Sequence, residues 1–120
     1  MIEIIPLSEN EMFEHVKKNV VDRAVFICDY FELWLHEDYL RFKSETFVEK
    51  NGKKYTLPSK EGNYIFSSLV GCKPEKYEEF DDRIEITMDN DVKIVCDTTL
   101  EPPCDSFHMK TEGVSLPVMI

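Results

Sequence analysis

Residues 84–97 read Ile84-Glu85-Ile86-Thr87-Met88, then Asp89-Asn90-Asp91, then Val92-Lys93-Ile94-Val95-Cys96-Asp97. Apolar and polar side chains alternate on both sides of a short Asp/Asn segment. That is the pattern of two strands with one buried face joined by a tight turn. An earlier stretch follows the same logic: Phe31-Glu32-Leu33-Trp34-Leu35, a turn at 36–38, then Leu40 to Glu45, with Leu40 and Phe42 alternating with Arg41 and Lys43. Glu32 and Glu85 take matching places. About a dozen residues do not establish a duplication, because any two hairpins with one buried face alternate alike. They do establish that antiparallel hairpins dominate the chain.

Ala24–Cys28 is rich in β-branched and aromatic residues and reads as a further strand. Phe47–Glu49 and Tyr55–Leu57 flank Asn51-Gly52, a pair that tolerates positive φ and so marks another hairpin. Pro58 ends it. Near the N-terminus, Ser8 and Glu11 form a capping box, and Met12, Phe13, Val16 and Val20 recur at helical spacing, which predicts one amphipathic helix over about 9–20. Tyr64, Ile65, Phe66 and Leu69, closed by Gly71, predict a short second helix within 61–70. Residues 2–7, 106–109 and 114–120 read as short strands, with Pro117 marking the last as an edge. The expectation is one α+β domain over 1–120, dominated by antiparallel sheet.

Composition narrows the function. The 120 residues are 42% hydrophobic and 32% charged, with eight Phe, five Tyr and one Trp, so the chain folds rather than staying disordered. No apolar run approaches the roughly 20 residues of a membrane span, and Glu3 without a basic leader does not resemble a secretory signal, so a cytoplasmic protein is expected. Cys28, Cys72, Cys96 and Cys104 lack framework spacing and read as reduced thiols. Cys96, Cys104 and His108 match no common zinc arrangement, so no metal or other cofactor is expected.

The motifs of enzymes are missing as well. His15, His36 and His108 sit in poor contexts for acid/base work, and Cys104 and His108 on an extended segment lie roughly 13 Å apart, too far for a thiolate–imidazole pair. No glycine-rich phosphate loop, Gly-x-Ser-x-Gly or His-Glu-x-x-His occurs. A non-enzymatic protein is expected.

Charge is the informative feature. Fourteen basic against twenty-four acidic side chains give a net −10, which disfavours contact with nucleic-acid phosphates and favours a basic partner or simple solubility. Residues 73–91 hold eight acids and three bases, a net −5, so half of the total falls in 19 residues. A solvated hairpin tip explains this without function. A docking surface explains it too, with Glu78, Glu79, Asp81, Asp82, Asp89 and Asp91 as contacts and Trp34 and Tyr77 as aromatic anchors. A small ligand-binding domain around Trp34 and His36 is the competing expectation.

Leu69-Val70-Gly71, a charged strand, the run Arg83 to Ile94, and Asp105-Ser106-Phe107 together resemble small bacterial immunity proteins of polymorphic or contact-dependent toxin systems. Those show a leucine-x-glycine lead-in, a hairpin and an acidic-Ser-aromatic strand. The hairpin glycine usual there is replaced by Asn90-Asp91, and the resemblance covers about 50 residues. It implies an antidote that binds a toxin, with a phage-encoded inhibitor of a host nuclease as a variant of the same chemistry.

Overall fold

The computed structural model describes residues 8–99, 106–111 and, for the backbone, 118–119. Its elements are α1 (Glu9–Val16), β1 (Arg23–Ile27), β2 (Tyr30–Leu35), β3 (Asp38–Phe42), β4 (Thr46–Lys50), β5 (Lys53–Leu57), α2 (Lys60–Ser67), β6 (Pro74–Glu79), β7 (Arg83–Met88), β8 (Lys93–Asp97), β9 (Phe107–Lys110) and β10 (Val118–Met119). This is the expected β-dominated α+β fold. Residues 2–7 and 114–117, with Pro117 among them, and Cys104 lie outside the described residues, whereas Cys96 and His108 fall in β8 and β9.

The strands form two antiparallel five-stranded sheets, β1-β2-β3-β9-β10 and β5-β4-β8-β7-β6. Their order exposes a relationship that alternation alone did not settle. A helix followed by three meandering strands occurs twice, as α1-β1-β2-β3 and as α2-β6-β7-β8. Each unit is followed by a two-strand segment that crosses to the other unit's sheet. β4-β5 joins the second sheet through β8, and β9-β10 joins the first through β3. The halves are topologically equivalent with their terminal strands exchanged.

Local details follow the same correspondence. Ser8 and Ser59 are both N-caps, each accepting from the backbone three residues on, and Ser8 completes its capping box with Glu11. Along β2 and β7 buried and half-buried positions fall in the same order. Where the chains cross, Lys43 N–H donates to Ser106 O at 2.7 Å and Asp97 N–H donates to Glu45 O at 2.9 Å. The halves also meet through Val21, whose N–H donates to Cys72 O (2.9 Å) and whose carbonyl accepts from Gly71 N–H (2.8 Å).

One cluster of buried side chains draws on both helices and both sheets. Phe66 is at its centre, edge-on to Phe26, Phe31 and Phe42 at 5.4 to 6.2 Å. Burying such a ring stabilises by about 2–3 kcal/mol before packing is counted. α1 ends at Val16 rather than near residue 20: Lys17 caps it, and the next N–H groups turn back to His15 and Val16. Its Met12, Phe13 and Val16 are buried, so the predicted stripe faces the core. No helix among the described residues is long and apolar enough to cross a membrane.

Candidate functional site

β6 is an edge strand, paired only with β7 among the described residues. Its central Tyr77 turns inward, 8% exposed, stacked 5.5 Å from Phe13 and 6.1 Å from Phe107. The expectation that Tyr77 anchors a partner is therefore corrected: the ring closes the core between α1 and β9. Its phenol oxygen is buried with no well-formed hydrogen bond among the described residues. Burial first, then the nearby Glu79 and Glu9 carboxylates, push the phenol pKa up. The Glu79 carboxyl, on a residue that is exposed overall, is raised in turn by partial desolvation and by the charge of Glu9. Phe80, the other aromatic of the acidic run, is the exposed one, at 38%, with the Arg83 guanidinium over its ring at 4.1 Å.

The acids divide into two groups. Glu79, Asp81 and Asp82 are exposed at the β6–β7 turn, and half-buried Glu78 pairs with Lys76 at 3.4 Å. Asp89 and Asp91 are exposed at the β7–β8 turn, at the opposite end of β7. A strand of that length separates the turns by about 20 Å, so the six carboxylates do not converge. Asp89 N–H is tied to Lys73 O, and Asp91 turns through φ 68°, with Asn90 Oδ1 accepting from Val92 N–H.

Two acids outside the charged run join the first group. Glu45 and Asp97, held together by the backbone bond across β4 and β8, line a cleft of about 240 Å³ with Asp82 and Arg83, above the apolar Phe47 and Val95. Thr99 donates to the Asp97 carboxylate from its hydroxyl and its N–H, at 2.5 and 2.7 Å, and holds that carboxyl below the usual range. Arg83 is committed to Asp82 (2.7 Å) and Glu85 (2.6 Å). The cleft thus offers negative charge over an apolar floor, which suits the head and stem of one basic side chain. Nothing in the alternation of 44–50 or 92–97 signals this; only the β4–β8 pairing creates it.

Trp34 belongs to a different surface. It is half-buried on the first sheet, donates from its indole nitrogen to Glu32 at 3.1 Å, and packs between Arg23 (4.8 Å) and Tyr39 (5.1 Å). The acidic turn is in the second sheet. His36 occupies the β2–β3 turn with φ 62°.

A second and larger cleft, about 920 Å³, opens between α2 and the β4–β5 hairpin. Lys50, Lys53 and Lys60 line it with Tyr55, Tyr64 and Asn63. No group of three or more His, Cys, Asp or Glu side chains among the described residues could hold a metal ion. No family model matches the sequence, and no match is found among curated proteins or solved structures.

Proposed function

We propose that this is a non-enzymatic binding protein that takes a basic partner protein at the β6–β7 end of the second sheet, as an immunity protein takes its toxin. The observation that carries the reading is the convergence of Glu45, Asp82 and Asp97 over Phe47 and Val95, beside exposed Phe80, Glu79 and Asp81. An apolar anchor ringed by carboxylates is the arrangement that steers a cationic surface and then holds it. Asp89 and Asp91 lie too far along β7 to share that contact.

The test is capture of a partner from native host lysate on the tagged full chain, eluted by salt to about 1 M, where the Debye length falls to about 3 Å. A single basic protein released by salt supports the reading. Its identity as a toxin supports immunity, and as a host nuclease the inhibitor variant. With that partner, D81K/D82K lowers affinity at least about tenfold, whereas D89K/D91K leaves it within about threefold. Equal effects of the two pairs, or no stoichiometric partner, overturn it.

A further inference from the structure

Residues 50–64 hold four lysines and one glutamate, a net +3, so the rest of the chain carries −13. Three of those lysines gather on one cleft. Lys50 and Lys53 are direct cross-strand partners next to the Asn51-Gly52 turn. Like charges in that position repel and destabilise a hairpin. Neither they nor Lys60 has an ion-pair partner among the described residues, although the chain is strongly acidic. On the same face of the hairpin come Tyr55 and Val48, while Lys54 points to the other face and lies over Phe47 at 4.9 Å. Across the cleft, Lys60, Asn63, Tyr64 and Ser67 form one stripe of α2 at helical spacing. Tyr64 leaves 76% of its surface exposed and Tyr55 is half-buried, so both present ring area to the opening. Asn63 Oδ1 accepts from Ser59 N–H at 3.2 Å, which leaves the amide nitrogen free to donate.

From this geometry we propose that the cleft between α2 and the β4–β5 hairpin binds a nucleoside phosphate, the phosphate at Lys50, Lys53 and Lys60 and the ring against Tyr55 and Tyr64. The charges match: three ammonium groups and Glu61 give the lining +2, against about −1.5 to −2 on a phosphate monoester near neutral pH. The volume is in the range of small-ligand sites, and tyrosine faces stack on any base. A long nucleic-acid strand fits less well, because its phosphates beyond the cleft meet the −13 of the remaining surface. Bound phosphate also relieves the Lys50–Lys53 repulsion, which gives the pair a reason to exist.

The experiment is an amide ¹⁵N–¹H titration of the full chain with AMP, and separately with ribose 5-phosphate, adenosine and a pentaglutamate peptide. AMP is expected to shift the amides of 51–55 and 63–67 saturably, with ribose 5-phosphate and adenosine each at least about tenfold weaker. K53E is expected to weaken AMP about tenfold, and K54E, on the opposite face, less than about twofold. Y64A is expected to bring AMP down to the affinity of ribose 5-phosphate. The spectrum of each variant reports its fold before ligand is added. Absence of saturable AMP shifts, equal losses in K53E and K54E, ribose 5-phosphate binding as tightly as AMP, or pentaglutamate binding in place of AMP each overturn the proposal.

Discussion

Glu32 and Glu85 occupy the same position in two hairpins of the same topology, and each is a buried carboxylate held by two side-chain donors, at least one of them a cation. Glu32 is bound by Arg41 on the neighbouring strand and by the Trp34 indole. Glu85 is bound by Arg83 at 2.6 Å and Lys93 at 3.1 Å. A carboxylate in the middle of a strand is costly unless so partnered. The recurrence therefore ties the sequence correspondence of the two hairpins to the same physical solution.

Burial alone raises the Glu85 carboxyl, but bonds from Arg83 and Lys93 overcome it and leave the pKa below the ordinary value. A folded-state pKa that is depressed contributes stability above the unfolded value, about 4.3, and loses it as pH falls through the folded value. E85Q should cost about 1–2 kcal/mol at pH 7, lowering Tm by about 4–8 °C, with the cation partners still half-exposed and able to turn to water. In urea titrations the difference from wild type should shrink between pH 5 and pH 3. An unchanged difference across that range contradicts the ion-pair account.

Gly62 gives a prediction opposite to helix propensity. It is buried in the first turns of α2, where alanine ordinarily gains about 1 kcal/mol over glycine. A Cβ at this position would overlap the Thr56 carbonyl and lie 2.7 Å from Ser59 Oγ. Backbone and a capping hydroxyl cannot yield without loosening the hairpin-to-helix junction. G62A should destabilise by about 1–3 kcal/mol, read from chemical denaturation. Stabilisation by G62A would mean that α2 does not pack this closely on β5.

The thiols should separate by reactivity. Cys28 is exposed at the β1–β2 turn, with φ 39°, whereas Cys96 is buried and its pKa is pushed up by burial. Cys72 is intermediate, raised by burial and then by Asp89. Thiolate character and access together set the rate of alkylation. Peptide-resolved iodoacetamide labelling at pH 8 should modify Cys28 first, Cys72 more slowly and Cys96 only after denaturant. Replacement of Cys28 by glycine should add about 0.5–1 kcal/mol by relieving the left-handed backbone.

Much of this fold was legible in local pattern. The Ser8–Glu11 box, the Asn51-Gly52 turn and the alternation of 31–42 and 84–97 each report short-range chemistry, and each forms the expected element. What alternation lacks is the identity of the next strand over. β3 pairs with β9, its residues 65 to 71 positions from their partners, and no residue of either strand advertises the other. The site suffered from the same gap. Tyr77 and Phe80 look equivalent in an acidic run, yet strand phase sends one into the core and leaves the other outside. The six acids look contiguous until the length of β7 separates them. The lysines of the α2 cleft were countable from the start but disappeared within a net charge of −10.

The exchange of terminal strands makes a prediction about the chain cut in two. Fragment 1–58 contains α1, β1-β2-β3 and β4-β5, but in the intact fold β3 hydrogen-bonds to β9 and β4 to β8, both in fragment 59–120. Alone, each fragment leaves inward-facing apolar side chains such as Leu40, Phe42, Ile94 and Val48 without their neighbours, and a half of about 60 residues has little surplus stability to lose. Each should therefore lack a cooperative melt, and a one-to-one mixture should recover the strand signal and a cooperative transition whose midpoint rises with concentration. Since each unit supplies the strand segment that the other requires, the mixed complex should outcompete self-association of either fragment. Size-exclusion chromatography with light scattering distinguishes these outcomes. A stably folded, monomeric 1–58 would show that β4-β5 can close on its own half, and that the exchanged topology is a choice of the whole chain rather than a requirement of its parts.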